Sequence, residues 1–341
     1  MKLVRTEDAV GQVLCHDITQ IIPGVVKDAV FRKGHIVTEE DIPVLLSVGK
    51  ENLYIWEKQE GMLHENEAAE ILRQICQGEH MHPSEVKEGK IELIADCEGV
   101  LKINTEKLNA VNNLGEMMIA SRHGNFPVKT GDKIAGTRII PLVIEEEKMQ
   151  KACEVAGKEP IFRILPYQKK KAGIVTTGSE VYYHRIEDKF TPVVIEKLKE
   201  CGVTEVKQIQ CNDDHEMITE AIQTLIEDGS DLIVCTGGMS VDPDDRTPGA
   251  IKNTGARIVS YGAPVLPGAM FLLAYFEDGT PVMGLPGCVM YAKATVFDLV
   301  LPSVAAGVEV TKKQLSHMGN GGFCLGCKPC HYPNCGFGNC L

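Results

Sequence analysis

Between residues 172 and 305 the chain alternates β-rich apolar runs with amphipathic helical patterns, and this alternation limits the fold more than any other feature. Ala172–Thr176, Glu205–Gln210 and Leu232–Cys235 read as strands, separated by helical patterns about Asp188–Cys201 and Asp214–Glu227. Strands joined through helices predict a parallel sheet built by right-handed crossovers. Thr247-Pro248 then supplies an N-cap with proline at the first helical position, and Ile258–Ser260 follows as a strand. Met270–Phe276 and Pro281–Leu285 flank Glu277-Asp-Gly-Thr280, where Asp-Gly signals an antiparallel hairpin. A closing helix is expected about Cys288–Ala305, which completes an α/β domain.

The upstream chain follows a different pattern. Residues 1–88 carry an N-cap candidate, Thr38, before a short helix; then comes a strand at Asn52–Trp56 and an amphipathic helix at Glu65–Gln77. Residues 89–155 alternate short strands (Lys90–Ile94, Gly99–Ile103, Glu116–Ser121, Gly136–Val143) with a helical piece near Leu108–Leu114, a small α+β domain. The run from Glu145 to Lys151 reads as a solvated helix face. A length of 341 residues suits two or three domains.

Thirty-five Lys and Arg against forty-seven Asp and Glu leave a formal charge of −12, which argues against nucleic acid and membrane as partners. An anionic small molecule then needs a local site of backbone N–H groups, a helix N-terminus or a metal. The apolar runs fall short of a membrane span, and the N-terminus lacks the apolar core of a signal peptide, so the expected location is the cytoplasm.

Open α/β sheets bind ligands beyond the carboxyl ends of their strands. The first strand ends in Thr176-Thr-Gly-Ser-Glu180, whose Thr177, Gly178 and Ser179 let a phosphate approach backbone N–H groups. The third ends in Cys235-Thr-Gly-Gly-Met-Ser-Val-Asp-Pro-Asp-Asp-Arg-Thr-Pro-Gly249. There Gly237 and Gly238 permit close backbone approach, Ser240 and Thr247 offer hydroxyls, and Asp242, Asp244 or Asp245 is placed to hold Mg²⁺. The alternative is a polar loop whose aspartates cap the next helix, although a cap needs one acid and not three. Asn212-Asp-Asp214 precedes a helix and on its own favours capping. Val265-Leu-Pro-Gly268 and Gly284-Leu-Pro-Gly287 add two turns in which Pro267 and Pro286 fix the chain and Gly268, Gly284 and Gly287 open it. Neither turn carries a nucleophile–base pair.

At these residues the chain resembles the molybdenum-cofactor biosynthesis family, which includes molybdopterin molybdotransferases, adenylyltransferases and gephyrin. Thr177-Gly-Ser-Glu180 is similar to the transferases' Thr-Gly-Asp-Glu turn, with Ser179 in place of the aspartate. Gly237-Gly-Met-Ser240 with Asp245 resembles their Gly-Gly-x-Ser loop and closing acid. Thr236-Gly-Gly through Thr247-Pro248 also resembles the adenylyltransferase loop, with Asp244 where that family has arginine. Gly284-Leu-Pro-Gly287 is the shared turn, followed by Cys288-Val289 instead of Asn-Pro, and Asp8-Ala-Val-Gly-Gln-Val-Leu-Cys-His-Asp17 is more weakly similar to a transferase segment.

The resemblance implies a mostly parallel three-layer sheet domain at 172–306, and a molybdopterin or adenylylated molybdopterin across its strand ends with Mg²⁺ and molybdate. Asp245, Glu180 and Asp213 or Asp214 would then act as the catalytic acids. It also implies two further readings: a carrier that hands finished cofactor to a molybdoenzyme or another cofactor-synthesis protein, and a nucleotide pyrophosphatase of the competence-damage type. Either a monomer or a homo-oligomer is compatible with it.

Thirteen cysteines divide into eight scattered through the first 323 residues and five in the last eighteen. Cys201, Cys211 and Cys235 lie in apolar segments, where a thiol serves as a small hydrophobe. The tail, 319–341, reads Cys324-x₂-Cys327-x₂-Cys330-x₄-Cys335-x₄-Cys340, a spacing that points to Zn²⁺ on four thiolates or, less directly, to an iron–sulfur cluster. With few apolar residues, such a tail is expected to order only around metal and to leave the α/β domain standing on its own core.

Overall fold

A computed structural model describes residues 2–339 apart from 23, 25, 56–59 and 244. The chain forms two compact units, one of Met1–Ile94, Ile103–Arg122 and Lys133–Arg163, the other of Ala95–Lys102, His123–Asp132 and Ile164–Leu341. The expected boundary at residue 88 falls inside the first unit. Helix Glu65–Cys76 lies against strand Lys133–Ile139, and strand Met62–His64 pairs with Val143–Glu145, so segments distant in sequence share one core.

In the first unit, Lys2–Arg5 pairs antiparallel with Asn52–Ile55, and the expected last strand residue, Trp56, lies outside the described residues. The early helix begins at Asp41 and not after Thr38, because the Asp41 carboxylate accepts both the Thr38 N–H (2.8 Å) and its hydroxyl (2.9 Å) in a separate turn. Helix Glu65–Cys76 starts with a capping box between His64 and Glu67 and buries Ala68, Ala69 and Leu72. The charged run becomes helix Glu146–Ala156, solvated on one side while Met149, Ala152 and Ala156 are buried.

The second unit holds the predicted sheet: β1 (Lys171–Thr177), β2 (Glu205–Cys211), β3 (Leu232–Thr236), β4 (Arg257–Tyr261), β5 (Leu272–Tyr275) and β6 (Pro281–Leu285), in the order β2-β1-β3-β6-β5-β4. β1 runs parallel to β2 and β3, and β6 parallel to β3, while β5 is antiparallel to both β6 and β4. The helices packing on it include α1 (Phe190–Glu200), α2 (His215–Glu227), α3 (Thr247–Asn253) and α4 (Val296–Ala305). Side chains alternate across a strand, so neighbours in β1 enter different cores. Ile174 packs with Val194 and Leu198 of α1 and Val300 of α4; Val175 packs with Ile218 and Ile222 of α2 and Ile251 of α3.

Two expectations change here. The closing helix is split into a 3₁₀ turn at Gly287–Met290 and α4, because the Thr295 hydroxyl accepts the Phe297 N–H and Asp298 accepts the Thr295 N–H, starting a new helix. The tail is not an appendage to an independent core. Cys324 N–H donates to the Leu266 carbonyl and Leu266 N–H to that of Gly322, both at 2.8 Å, and Phe337, 4% exposed, belongs to the core shared by α1 and α4. Tyr332 adds a hydrogen bond from its hydroxyl to the Asp298 carbonyl at 3.1 Å. Among the described residues, no helix is long and apolar enough to cross a membrane.

Candidate functional site

From β1 the chain passes to β2 on one side, then crosses to β3 on the other. The β1–β3 crevice is therefore a topological switch point, where open α/β sheets leave room for a ligand. In register, Thr176 stands opposite Thr236 and Thr177 opposite Cys211, so the loops at 177–180 and 237–247 leave the sheet side by side.

Hydroxyls stitch these loops together. Thr177 Oγ1 donates to the Thr236 carbonyl at 3.1 Å and lies 3.3 Å from Thr247 Oγ1, while the Thr247 hydroxyl donates to the Gly237 carbonyl at 2.9 Å. Thr247 N–H also donates to the Gly238 carbonyl at 3.2 Å. Gly237 and Gly238 take left-handed φ values of 84° and 56°. A Cβ on Gly237 would run into the Thr177 carbonyl oxygen, and one on Gly238 would lie 2.8 Å from Thr247 Oγ1. These two glycines are required by loop meeting loop, with Thr247 Oγ1 beside the place a Gly238 side chain would take. Gly284 makes room for Met239, and Gly268 for Val296. Gly287, exposed at the turn after Pro286, has open space where a side chain would be. Beside it, the Pro267 carbonyl accepts the Val296 N–H at 3.2 Å.

The acids divide by role. Asp245 Oδ2 accepts the Asp242 N–H at 2.9 Å, and Asp245 N–H donates to the Asp242 carbonyl at 3.0 Å, closing a turn beside exposed Ser240. Asp244 lies outside the described residues. Asp214 departs from the catalytic expectation: its Oδ1 accepts the N–H groups of Glu216 and Met217 (3.1 and 2.9 Å) and caps α2. Its neighbour Asp213 reaches the β1 turn instead, accepting the Ser179 N–H at 2.8 Å. The Glu180 carboxylate folds back beside Gly178, whose φ of 132° suits glycine.

One site residue escaped the sequence reading. Tyr261, the last residue of β4, donates its hydroxyl to the Met239 carbonyl at 2.9 Å and lies 3.1 Å from that of Ser240. Burial, then the nearby Asp245 carboxylate, push that hydroxyl above its ordinary pKa. Its position at the end of β4 is the signal the sequence carries. Thr236, quoted above only as the start of the resembling loop, is 1% exposed, and its Oγ1 has no hydrogen-bond partner among the described atoms. A buried orphan hydroxyl at the crevice floor is a place for an ordered water or a ligand group.

The thiols behave as two populations. Cys201, Cys211 and Cys235 are buried; burial pushes Cys201 up to about 12 and Cys211 to about 11, so they are inert hydrophobes. Burial also raises half-buried Cys288. In the tail, Cys324 and Cys335 are half-buried, Cys327 and Cys330 exposed, and Cys340 lies outside the described residues. Gly326 N–H donates to Cys324 Sγ at 3.5 Å. Among the described residues, no three His, Cys, Asp or Glu side chains gather into a group able to hold a metal.

Residues 173–306 match the family described as "Probable molybdopterin binding domain", and residues 3–57 a domain of unknown function, DUF8806. The CinA-like protein of Mycobacterium tuberculosis is 38% identical over 77 residues, 23% of this chain and 18% of that protein; that of Mycobacterium avium aligns to the same extent. The chain thus spans under a fifth of the curated relatives it matches. Among solved structures, the molybdopterin biosynthesis enzyme MoaB of Thermus thermophilus is 21% identical with a TM-score of 0.32, covering 40% of this chain and 97% of that one. A molybdenum cofactor biosynthesis protein of Pyrococcus furiosus is 13% identical with a TM-score of 0.26, covering 90% and 63%.

Proposed function

We propose, of a chain whose residues 173–306 are a domain of the molybdopterin-binding, molybdenum-cofactor family, that it binds molybdopterin or adenylylated molybdopterin across the β1–β3 crevice and inserts molybdate in an Mg²⁺-dependent step. The observation that carries this reading is the meeting of Thr177, Gly237–Gly238 and Thr247 at the switch point within the matched segment, with Asp245 in the same loop. The partnerless Thr236 hydroxyl supports it, as does the open Gly287 turn.

Each group has a part to play. The 177–180 and 284–287 turns, exposed at Glu180 and Gly287, receive phosphate and pterin edges, and Asp242 holds Asp245 in place by its N–H. Asp245, with Glu180 or Asp213, offers hard carboxylate oxygens to Mg²⁺; a site of one or two carboxylates completed by substrate phosphates is what this ion usually takes. When bound, the ion offsets charge developing on phosphate and molybdate oxygens. The three-layer domain organisation belongs to the same proposal, supported by the two cores on opposite faces of β1. So does a metal on the tail thiolates, supported by the five-cysteine spacing and the N–H bond to Cys324.

Adenylylated molybdopterin mixed with molybdate and Mg²⁺ provides the test. Release of AMP together with protein-dependent incorporation of molybdenum is the expected result. Tight binding without AMP points to the carrier reading, and nucleotide hydrolysis that ignores molybdate points to the pyrophosphatase reading, which the CinA-like similarity favours. Elemental analysis of anaerobically purified protein tests the tail: stoichiometric zinc or iron lost in Cys324→Ser supports a metal there.

A further inference from the structure

We propose that a cavity in the second unit, separate from the strand-end loops, binds a small carboxylate carrying an apolar ring or branched chain. The cavity has a volume of about 170 Å³ and takes no wall from residues 177–180, 237–247, 265–268 or 284–287. Its polar end is Lys102, whose ammonium donates to Asn125 Oδ1 at 2.7 Å and to Ser303 Oγ at 3.3 Å. Phe126, Leu299 and Met318 form its apolar wall, the first two each 8% exposed.

Among the described residues, the charge on Lys102 has no counterpart. Both its partners are neutral, and no Asp or Glu lines the cavity among the described residues, in a chain where acids outnumber bases by forty-seven to thirty-five. A half-buried ammonium without a carboxylate keeps a desolvation penalty that an anion would offset through a charge-assisted hydrogen bond. Burial alone lowers the pKa of Lys102, the direction expected of a cation lacking an anion beside it.

Size selects the rest of the ligand. An apolar cavity of about 150 Å³ accommodates benzene. The present one therefore suits a single ring or a branched chain with its carboxylate on Lys102, and is too small for a pterin or nucleotide. Inorganic phosphate satisfies the charge and leaves the Phe126–Leu299–Met318 wall uncovered.

The probe is benzoate, titrated calorimetrically into the full chain. One saturable site is expected, weakened at least about ten-fold in Lys102→Met, which keeps the stem and removes the charge. Benzyl alcohol should bind more weakly than benzoate, and phosphate should fail to displace benzoate. A second readout needs no variant: reductive methylation mapped by mass spectrometry should show benzoate shielding Lys102 while exposed lysines react unchanged. The proposal is overturned by no benzoate binding in the millimolar range, by equal affinity in a Lys102→Met protein that melts like the wild type, by displacement with phosphate, or by unshielded Lys102 at saturation.

Discussion

The strand-end loops and the cysteine tail belong to the same unit, and each stands out in the sequence by one residue type, aspartate in the first and cysteine in the second. Neither is held by that type alone. The loops at 177–180 and 237–247 are fixed by threonine hydroxyls, left-handed glycines, the Tyr261 hydroxyl and the Asp213 carboxylate on the Ser179 N–H, while Asp245 closes its own turn with Asp242. The tail is fixed by Phe337 and Tyr332 and by backbone pairing with Leu266, while Cys327 and Cys330 face solvent. In both regions the exposed residues suited to chemistry are expected to change at less cost to folding than the inconspicuous ones.

The strongest challenge to this comparison is Phe337→Ala. Emptying a buried aromatic site is expected to cost about 3–5 kcal/mol, lowering the melting temperature of the unit and speeding reaction of the tail thiols with a thiol reagent. Removal of residues after Met318 should act in the same direction. Unchanged melting would make the tail an appendage after all.

Gly237→Val should come next, destabilising by about 2–4 kcal/mol through its left-handed backbone and collision with the Thr177 carbonyl. Denaturant unfolding without ligand measures it; Gly287→Ala, with open space at its Cβ, is the control expected to unfold like wild type.

Asp245→Ala sharpens the other side of the comparison. Unliganded melting should move by no more than about 0.5 kcal/mol equivalent, whereas the stabilisation from molybdopterin at a hundred times its wild-type dissociation constant, about 2.7 kcal/mol, should disappear. Persistence of that stabilisation would detach Asp245 from the site. The smallest effect is expected from Asp214→Ala, which removes the α2 cap at about 1 kcal/mol and leaves the ligand response intact. Loss of the ligand response there would return Asp214 to the catalytic group.

Much of the sheet was readable because its signals are local. The strand at Arg257–Tyr261 and the hairpin of β5 and β6 lie where β-rich residues and the Asp-Gly turn indicate them. The acids were harder. Asn212-Asp-Asp214 reads as a cap, and Asp214 is one, yet no pattern distinguishes the carboxylate that meets the Ser179 N–H from the one that caps α2. That choice follows from the loop after β1 passing over the end of β2.

By itself the sequence determined most strands of the α/β sheet, which loops follow their ends and which residue types gather in the tail, because side-chain periodicity and turn chemistry act over a few residues. Tertiary structure decided what those loops touch. Gly237 must be glycine because Thr177, sixty residues earlier, presents its carbonyl there, and Phe337 is a core residue because α1 and α4 leave a place for it. Such requirements arise only when crossovers bring strand ends together, since spacing along a chain does not specify proximity across a sheet.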